Sequence, residues 1–190
     1  MIFVRRATLD DIEAVVATYT AAWRAGFQYM FSAVVFEVDG FDAARRTECT
    51  DSVFLDGTDT FVGELDGRVV GYVVARVDGY DSVIDDIWVH PSSWGRGVAA
   101  ALVARAEDDM RNRGGRLLSA WVPEDSPTGR RFFDKLGWRP SGELDQLDLY
   151  GASDNRLVEY LRELESVDLT RGIPRPTRSL ERTQVWPPSL

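Results

Sequence analysis

At 190 residues the chain has room for one domain with a sizeable core, and its 44% hydrophobic and 28% charged residues are those of a folded globular protein. Its only cysteine, Cys49, rules out disulfides and cysteine metal clusters, and its only histidine, His90, leaves no material for a multi-histidine site or an ordinary Ser-His-Asp triad, so no metal is expected. The formal charge of −9 disfavours non-specific nucleic-acid binding, no apolar run approaches the ~20 residues of a membrane helix, and "MIFVRRATLDD" lacks the apolar stretch of a secretory signal; a soluble, cytoplasmic protein is expected.

Residues 2–5, "IFVR", read as an opening strand. Thr8 and Asp11 have the spacing of a helix N-cap and its third residue, and Ile12, Val15, Val16, Tyr19, Ala22 and Trp23 then share one helical face. Residues 27–37 are aromatic-rich without a clear period, and residues 39–52 hold the pattern of a shorter second helix. From Thr60 to Pro91 the pattern predicts three successive antiparallel strands, with Asp66-Gly67 as a hairpin turn.

A further helix-forming run carries Val98, Leu102, Ala106 and Met110 at i+4 spacing and stops near Gly114-Gly115. "RLLSAWV" follows as a strand. Ser126 then caps a helix with Pro127 at its first position, Phe132, Phe133 and Leu136 on one side, and Gly137 as its stop. "NRLVEYLREL" fits either a strand or a helix, since Leu157, Leu161 and Leu164 would share a helical face. The prolines and arginines of residues 165–190 mark an arm or tail, leaving residues 1–164 as the folded domain.

The stretch with chemical content is "DDIWVHPSSWGRGVAAALV", residues 85–103. A strand that runs through a glycine turn into a helix is an anion-binding device: helix-terminal N–H groups converge on one point, and glycine lets a ligand approach the backbone. Gly95 and Gly97 supply that freedom, and Arg96 adds a charged donor. The spacing is neither that of a Walker loop nor that of a dinucleotide fingerprint.

The loop and its surroundings resemble the GCN5-related N-acetyltransferase (GNAT) family. "WGRGVA", residues 94–99, matches that family's [Q/R]-x-x-G-x-[G/A] pyrophosphate loop at Gly97 and Ala99, while "IWVHP" precedes it and "RFFDKLGW" follows at the family's spacing. The resemblance covers residues 2–140, and residues 157–164 as a last strand. It implies a mixed α/β fold whose mostly antiparallel sheet of six to seven strands has helices on both faces. That sheet would splay between its fourth and fifth strands to admit the pantetheine arm of acetyl-CoA.

By the same resemblance Ile87, Trp88, Val89, Trp94, Gly95, Arg96, Gly97, Val98, Ala99, Ala100, Ser126 and Phe133 would contact acetyl-CoA, with a backbone N–H between Ile87 and Val89 polarising the thioester. Asp85, Asp86 and Ser126 are the catalytic candidates, and strand alternation sends the two aspartates to opposite faces. Trp23, Phe27, Tyr29, Asp86 and Trp121 are candidates for the wall of an acceptor pocket. The acceptor implied is a primary amine of a small molecule, and a homodimer is compatible with the family.

Two positions depart from the pattern. Trp94 stands where the family has Gln or Arg, and Phe133 stands where it often has the tyrosine that protonates the departing thiolate. A binding protein without turnover is therefore the alternative to an enzyme. A module that docks a partner through residues 165–190 is a third reading.

Overall fold

A computed structural model of the protein describes residues 1–27, 46–47, 50–51, 53–55, 57–78, 81–149 and 152–164. The tail from residue 165, Cys49, Tyr29 and the side chain of Phe27 lie outside these, as does most of the short helix expected over residues 39–52. Seven strands form one sheet in the order β1-β2-β3-β4-β5-β7-β6. They are β1 (Ile2–Arg6), β2 (Thr58–Leu65), β3 (Arg68–Asp78), β4 (Asp81–Val89), β5 (Leu117–Pro123), β6 (Arg139–Leu149) and β7 (Ala152–Glu163).

Every neighbouring pair is antiparallel except β4 and β5, which run parallel. Helix α1 (Ile12–Phe27) packs on one face, and α2 (Val98–Asn112) and α3 (Pro127–Lys135) pack on the other. The expected mixed α/β architecture with helices on both faces is what the chain forms.

Local signals set the element ends. The Asp11 carboxylate accepts from the Thr8 N–H (2.8 Å) and hydroxyl (3.0 Å), closing a short 3-10 turn ahead of α1. Arg5 reaches the same carboxylate through both terminal nitrogens (2.7 and 2.8 Å) and Glu64 through Nε (2.8 Å), tying β1, the helix start and β2 together. Asp66 and Gly67 have φ of 54° and 78°, the left-handed pair that a two-residue hairpin turn needs.

Helix α2 is seated by a glycine pair. Gly63 on β2 and Gly71 on β3 are cross-strand partners. A Cβ on Gly63 would lie 3.0 Å from Val98 Cγ1, and one on Gly71 would lie 3.0 Å from the Trp88 carbonyl and 3.1 Å from Leu102 Cδ1. Bare backbone on both strands lets Val98 and Leu102 sink onto the sheet, where they are 1% and 0% exposed. That contact fixes the height of the helix N-terminus over the end of β4.

The segment "NRLVEYLREL" belongs to β7, which settles its two readings in favour of the strand. Val158 and Tyr160 face the α2–α3 core, while Glu159 and Leu157 alternate to the other face; all four are buried. Strand β6, over Arg139–Leu149, was not anticipated. Its Glu143, Leu144, Asp145 and Gln146 are exposed at the sheet edge, so it lacks the apolar alternation that marks a half-buried strand.

Candidate active site: an opening between two parallel strands

Strands β4 and β5 pair only from Asp81↔Leu117 to Ile84↔Ala120. Beyond Ile84 they separate, and the next residue explains why. In the β3–β4 ladder Ala75 pairs with Ile84 and Val74 with Asp86, so Asp85 is an extra residue, a bulge. A bulge bends its strand and sharpens the local twist, which here carries β4 away from β5 just where their pairing ends.

The ladder phase then decides which backbone groups line the opening. His90 N–H donates to the Val70 carbonyl (2.8 Å), so by antiparallel alternation Trp88 and Asp86 exchange bonds with β3, whereas Ile87 and Val89 turn theirs away from it. The Val89 carbonyl shows this directly: it accepts from the Trp94 indole N–H at 2.7 Å rather than from β3. On the opposite wall, Leu164 N–H donates to Arg116 O and Glu124 N–H to Arg156 O (both 2.8 Å), which leaves Trp121 N–H and C=O pointing away from β7. The opening is therefore walled by the N–H groups of Ile87 and Val89 and the carbonyls of Ile87 and Trp121. Of the three residues expected around the polarising donor, Trp88 is the one whose N–H is committed to β3.

At the mouth of the opening stands the glycine loop. Gly95 and Gly97 have φ of 73° and 85°. A Cβ on Gly95 would meet nothing within 4 Å, and one on Gly97 only Ile2 Cδ1 at 3.7 Å, so space outside the loop is clear for a ligand. The first hydrogen bond of α2 runs from Ala101 N–H to Gly97 O (3.1 Å), and Gly97 brings no side chain to cap the helix. The N–H groups of Val98, Ala99 and Ala100 thus have no intrahelical acceptor, and with the helix dipole they form an anion site. The side chain of Arg96 is 52% exposed beside them, with a 3.4 Å contact to Asp66. These features fit a pyrophosphate. The indole of Trp94, in the position of the family's Gln or Arg, is half exposed and pins the loop to the last residue of β4.

The two aspartates do not go to opposite faces. Ile84, Ile87 and Val89 lie with the α2 core and Trp88 with the α1 core, so two residues rather than one separate Ile84 from the next residue on its own face. The bulge supplies the extra residue and brings Asp85 and Asp86 to the α1 side together. Asp85 is held by Arg76 in a two-bond fork (2.7 and 2.8 Å). Asp86 accepts the indole N–H of Trp88 at 3.0 Å, and Trp88 meets Tyr19 of α1 edge-on at 5.3 Å. Of the expected pocket aromatics, Trp121 is half-buried on the opposite strand, while Trp23 is 1% exposed within the α1 core and serves packing.

Helix α3 covers the second wall. Ser126 caps it, its hydroxyl accepting the Gly129 N–H at 3.2 Å. Phe133 is buried with Phe132, Trp138 and Tyr160 at ring distances of 5.1, 4.9 and 5.7 Å. His90 takes a structural part, its Nδ1 lying 2.8 Å from Ser92 Oγ and accepting the Ser92 N–H across the turn that follows β4. No signal of local composition points to Arg76 as the partner of Asp85, since their contact depends on the register of β3 against β4.

The acetyltransferase (GNAT) family model matches residues 19–138. The "Uncharacterized N-acetyltransferase MJ1207" of Methanocaldococcus jannaschii is 27% identical over 143 residues, covering 71% of this chain; the chain spans 59% of that relative's length. Among solved structures, the PaiA N-acetyltransferase of Thermoplasma acidophilum, in complex with coenzyme A, superposes with a TM-score of 0.64 at 15% identity over 84% of this chain and 98% of its own. The ribosomal-protein-S18-alanine N-acetyltransferase of Escherichia coli gives 0.67 at 13% identity, over 88% and 96%. YncA of Salmonella typhimurium, with acetyl-CoA, gives 0.64 at 22% identity, again over 88% and 96%. With its seven-stranded sheet opened between β4 and β5 and its glycine loop at the mouth, the chain belongs to the acetyltransferase (GNAT) family.

Proposed function

We propose that the protein transfers the acetyl group of acetyl-CoA to a primary amine of a small molecule, by direct attack of the amine on the thioester. The observation that carries this reading is the opening itself: β4 and β5 part beyond Ile84↔Ala120 with backbone edges turned towards each other, ending in an uncapped helix N-terminus. The Gly95–Ala100 segment would hold the pyrophosphate through backbone N–H groups, assisted by Arg96. The amides of the pantetheine arm match the N–H groups of Ile87 and Val89 and the carbonyls of Ile87 and Trp121.

The acetyl carbonyl would then lie against the Ile87 or Val89 N–H. Negative charge develops on that oxygen as the amine attacks, and one oriented donor contributes roughly 3 kcal/mol at such a position. Asp86 is proposed to receive and orient the amine: its carboxylate and the Trp88 ring together present a charge and an aromatic face to an alkylammonium group. Asp85, its charge answered by Arg76, holds the bulge rather than the substrate. Ser126 keeps the start of α3 beside the pantetheine. A cytoplasmic location and a small-molecule acceptor belong to this proposal.

Calorimetric titration with acetyl-CoA, CoA and dephospho-CoA, followed by a primary-amine library screened for CoA release, tests it. Binding of acetyl-CoA with release of CoA on a small amine is the expected result. Binding without turnover on any amine or peptide N-terminus would favour the non-catalytic reading.

A further inference from the structure

Trp94 stands where the family has Gln or Arg, and the chain just before it decides where its ring goes. After β4 the backbone makes one 3-10 turn, Pro91–Ser93, with Ser93 N–H donating to His90 O (2.8 Å) and Trp94 N–H to Pro91 O (3.2 Å). That turn brings the indole back to the strand it has just left, where Nε1 donates to the Val89 carbonyl at 2.7 Å. Gly95, at φ 73°, then lets the backbone turn away into the glycine loop while the ring stays behind, half exposed.

The indole bond is made on the side of β4 that faces the opening. On the other side of the same peptide group, His90 N–H donates to Val70 O of β3 (2.8 Å), so this peptide is held from both sides. Strand β3 also backs it tightly: a Cβ on Gly71 would lie 3.0 Å from the Trp88 carbonyl and 3.1 Å from Val89 Cγ2. Between the bulge and the loop, β4 therefore turns the Ile87 and Val89 N–H groups and the Ile87 carbonyl towards the opening, and its one further acceptor there, the Val89 carbonyl, is taken.

An anchored pyrophosphate fixes only one end of acetyl-CoA. The pantetheine arm is a flexible chain with two amides, and the depth its sulfur reaches depends on which backbone groups those amides pair with. The Ile87 and Val89 carbonyls are two residues apart on one strand edge, about 7 Å, so with both open the arm has two registers, as a strand has when nothing forbids slippage. We propose that Trp94 is a positioning residue that sets the depth of the thioester: by keeping the Val89 carbonyl occupied, it leaves the arm a single register on β4, the one that uses the Ile87 carbonyl. This rests on the acetyl transfer proposed above. A displacement of about 1 Å at the reacting carbon costs on the order of 10²-fold in rate, so the indole acts on turnover as well as on affinity.

The infrared band of acetyl-CoA labelled with carbon-13 at the thioester carbonyl, bound at saturation, reads that position without turnover. The expected result is one narrow band in the wild type, displaced from that of free acetyl-CoA. In Trp94→Phe, saturated with ligand and melting within a few degrees of wild type, the band splits or moves back towards the free position. With an amine acceptor in hand, Trp94→Phe lowers kcat about 10²-fold at saturating acetyl-CoA, whereas loss of the grip on the loop alone raises KM and leaves kcat unchanged. The same single band in both proteins, a wild-type band that is split or sits at the free position, or an unchanged kcat overturns the assignment. Failure of the wild type to bind acetyl-CoA instead removes the acetyl-transfer reading on which it rests.

Discussion

Asp85 and Asp86 are neighbours in sequence with opposite surroundings, one clamped by an arginine fork and the other facing a tryptophan and the α1 side of the sheet. Their surroundings suit them to different work, and substitution separates the two. Asp86→Asn keeps the shape and the indole bond but loses the negative charge, so kcat should fall by about 10²-fold or more, with CoA affinity unchanged by calorimetry. Asp85→Asn loosens a partly exposed ion pair, costing under ~1 kcal/mol in chemical denaturation and little in turnover. Equal loss of activity in both variants would mean that the bulge, not Asp86, is what matters. Trp94→Phe removes the indole N–H that grips the Val89 carbonyl. Its expected effect is a several-fold weaker CoA affinity with no change in the melting temperature beyond a few degrees.

At the scale of elements, what the sequence made legible was whatever depends on near neighbours. The Thr8–Asp11 cap, the Asp66-Gly67 turn, the i+4 apolar stripe of α2 and the Ser126–Gly137 limits of α3 all rest on contacts within a few residues, and all are present. The bulge at Asp85 is different in kind. It arises from the register of β4 against β3, which no local pattern encodes, and it reversed the expected placement of the aspartates. Strand β6 lacks a local signal because an exposed edge strand needs no apolar face, and β7 stayed ambiguous because polar Glu159 sits at a buried position of the strand. Gly63 and Gly71 carry an element-scale prediction. Gly71→Ala drives a Cβ against the Trp88 carbonyl and Leu102, and a backbone oxygen cannot swing aside. Denaturant unfolding should show a loss of ~1–3 kcal/mol, and CoA binding should weaken because α2 is lifted from its seat.

Over the whole molecule, the net charge of −9 gives no hint of an anionic ligand. The site works by local geometry: an uncapped helix end and one loop arginine act within a Debye length, where distant carboxylates are screened. Acid stability follows a similar local logic. The Arg5 fork holds the Asp11 carboxyl at about 2, below its ordinary 3.8. A depressed carboxyl stabilises the fold above its unfolded value, and that contribution is lost as pH falls from about 4 through about 2. Because Arg5 is one-third exposed, solvent screening reduces the effect to on the order of 1 kcal/mol. Unfolding free energy measured across that window should fall less steeply in Asp11→Asn than in the wild type.

The central claim is that the opening between β4 and β5, with the glycine loop at its mouth, is built to hold CoA. Calorimetric titration of acetyl-CoA into the wild-type protein and into Gly97→Trp tests it most directly. Gly97 is the helix N-cap at φ 85°, and an indole there fills the space the pyrophosphate needs. One-to-one, micromolar binding by the wild type and none by the variant is expected, with matching thermal stabilisation only in the wild type. Equal affinity in the two proteins, or no heat of binding in either, would contradict it.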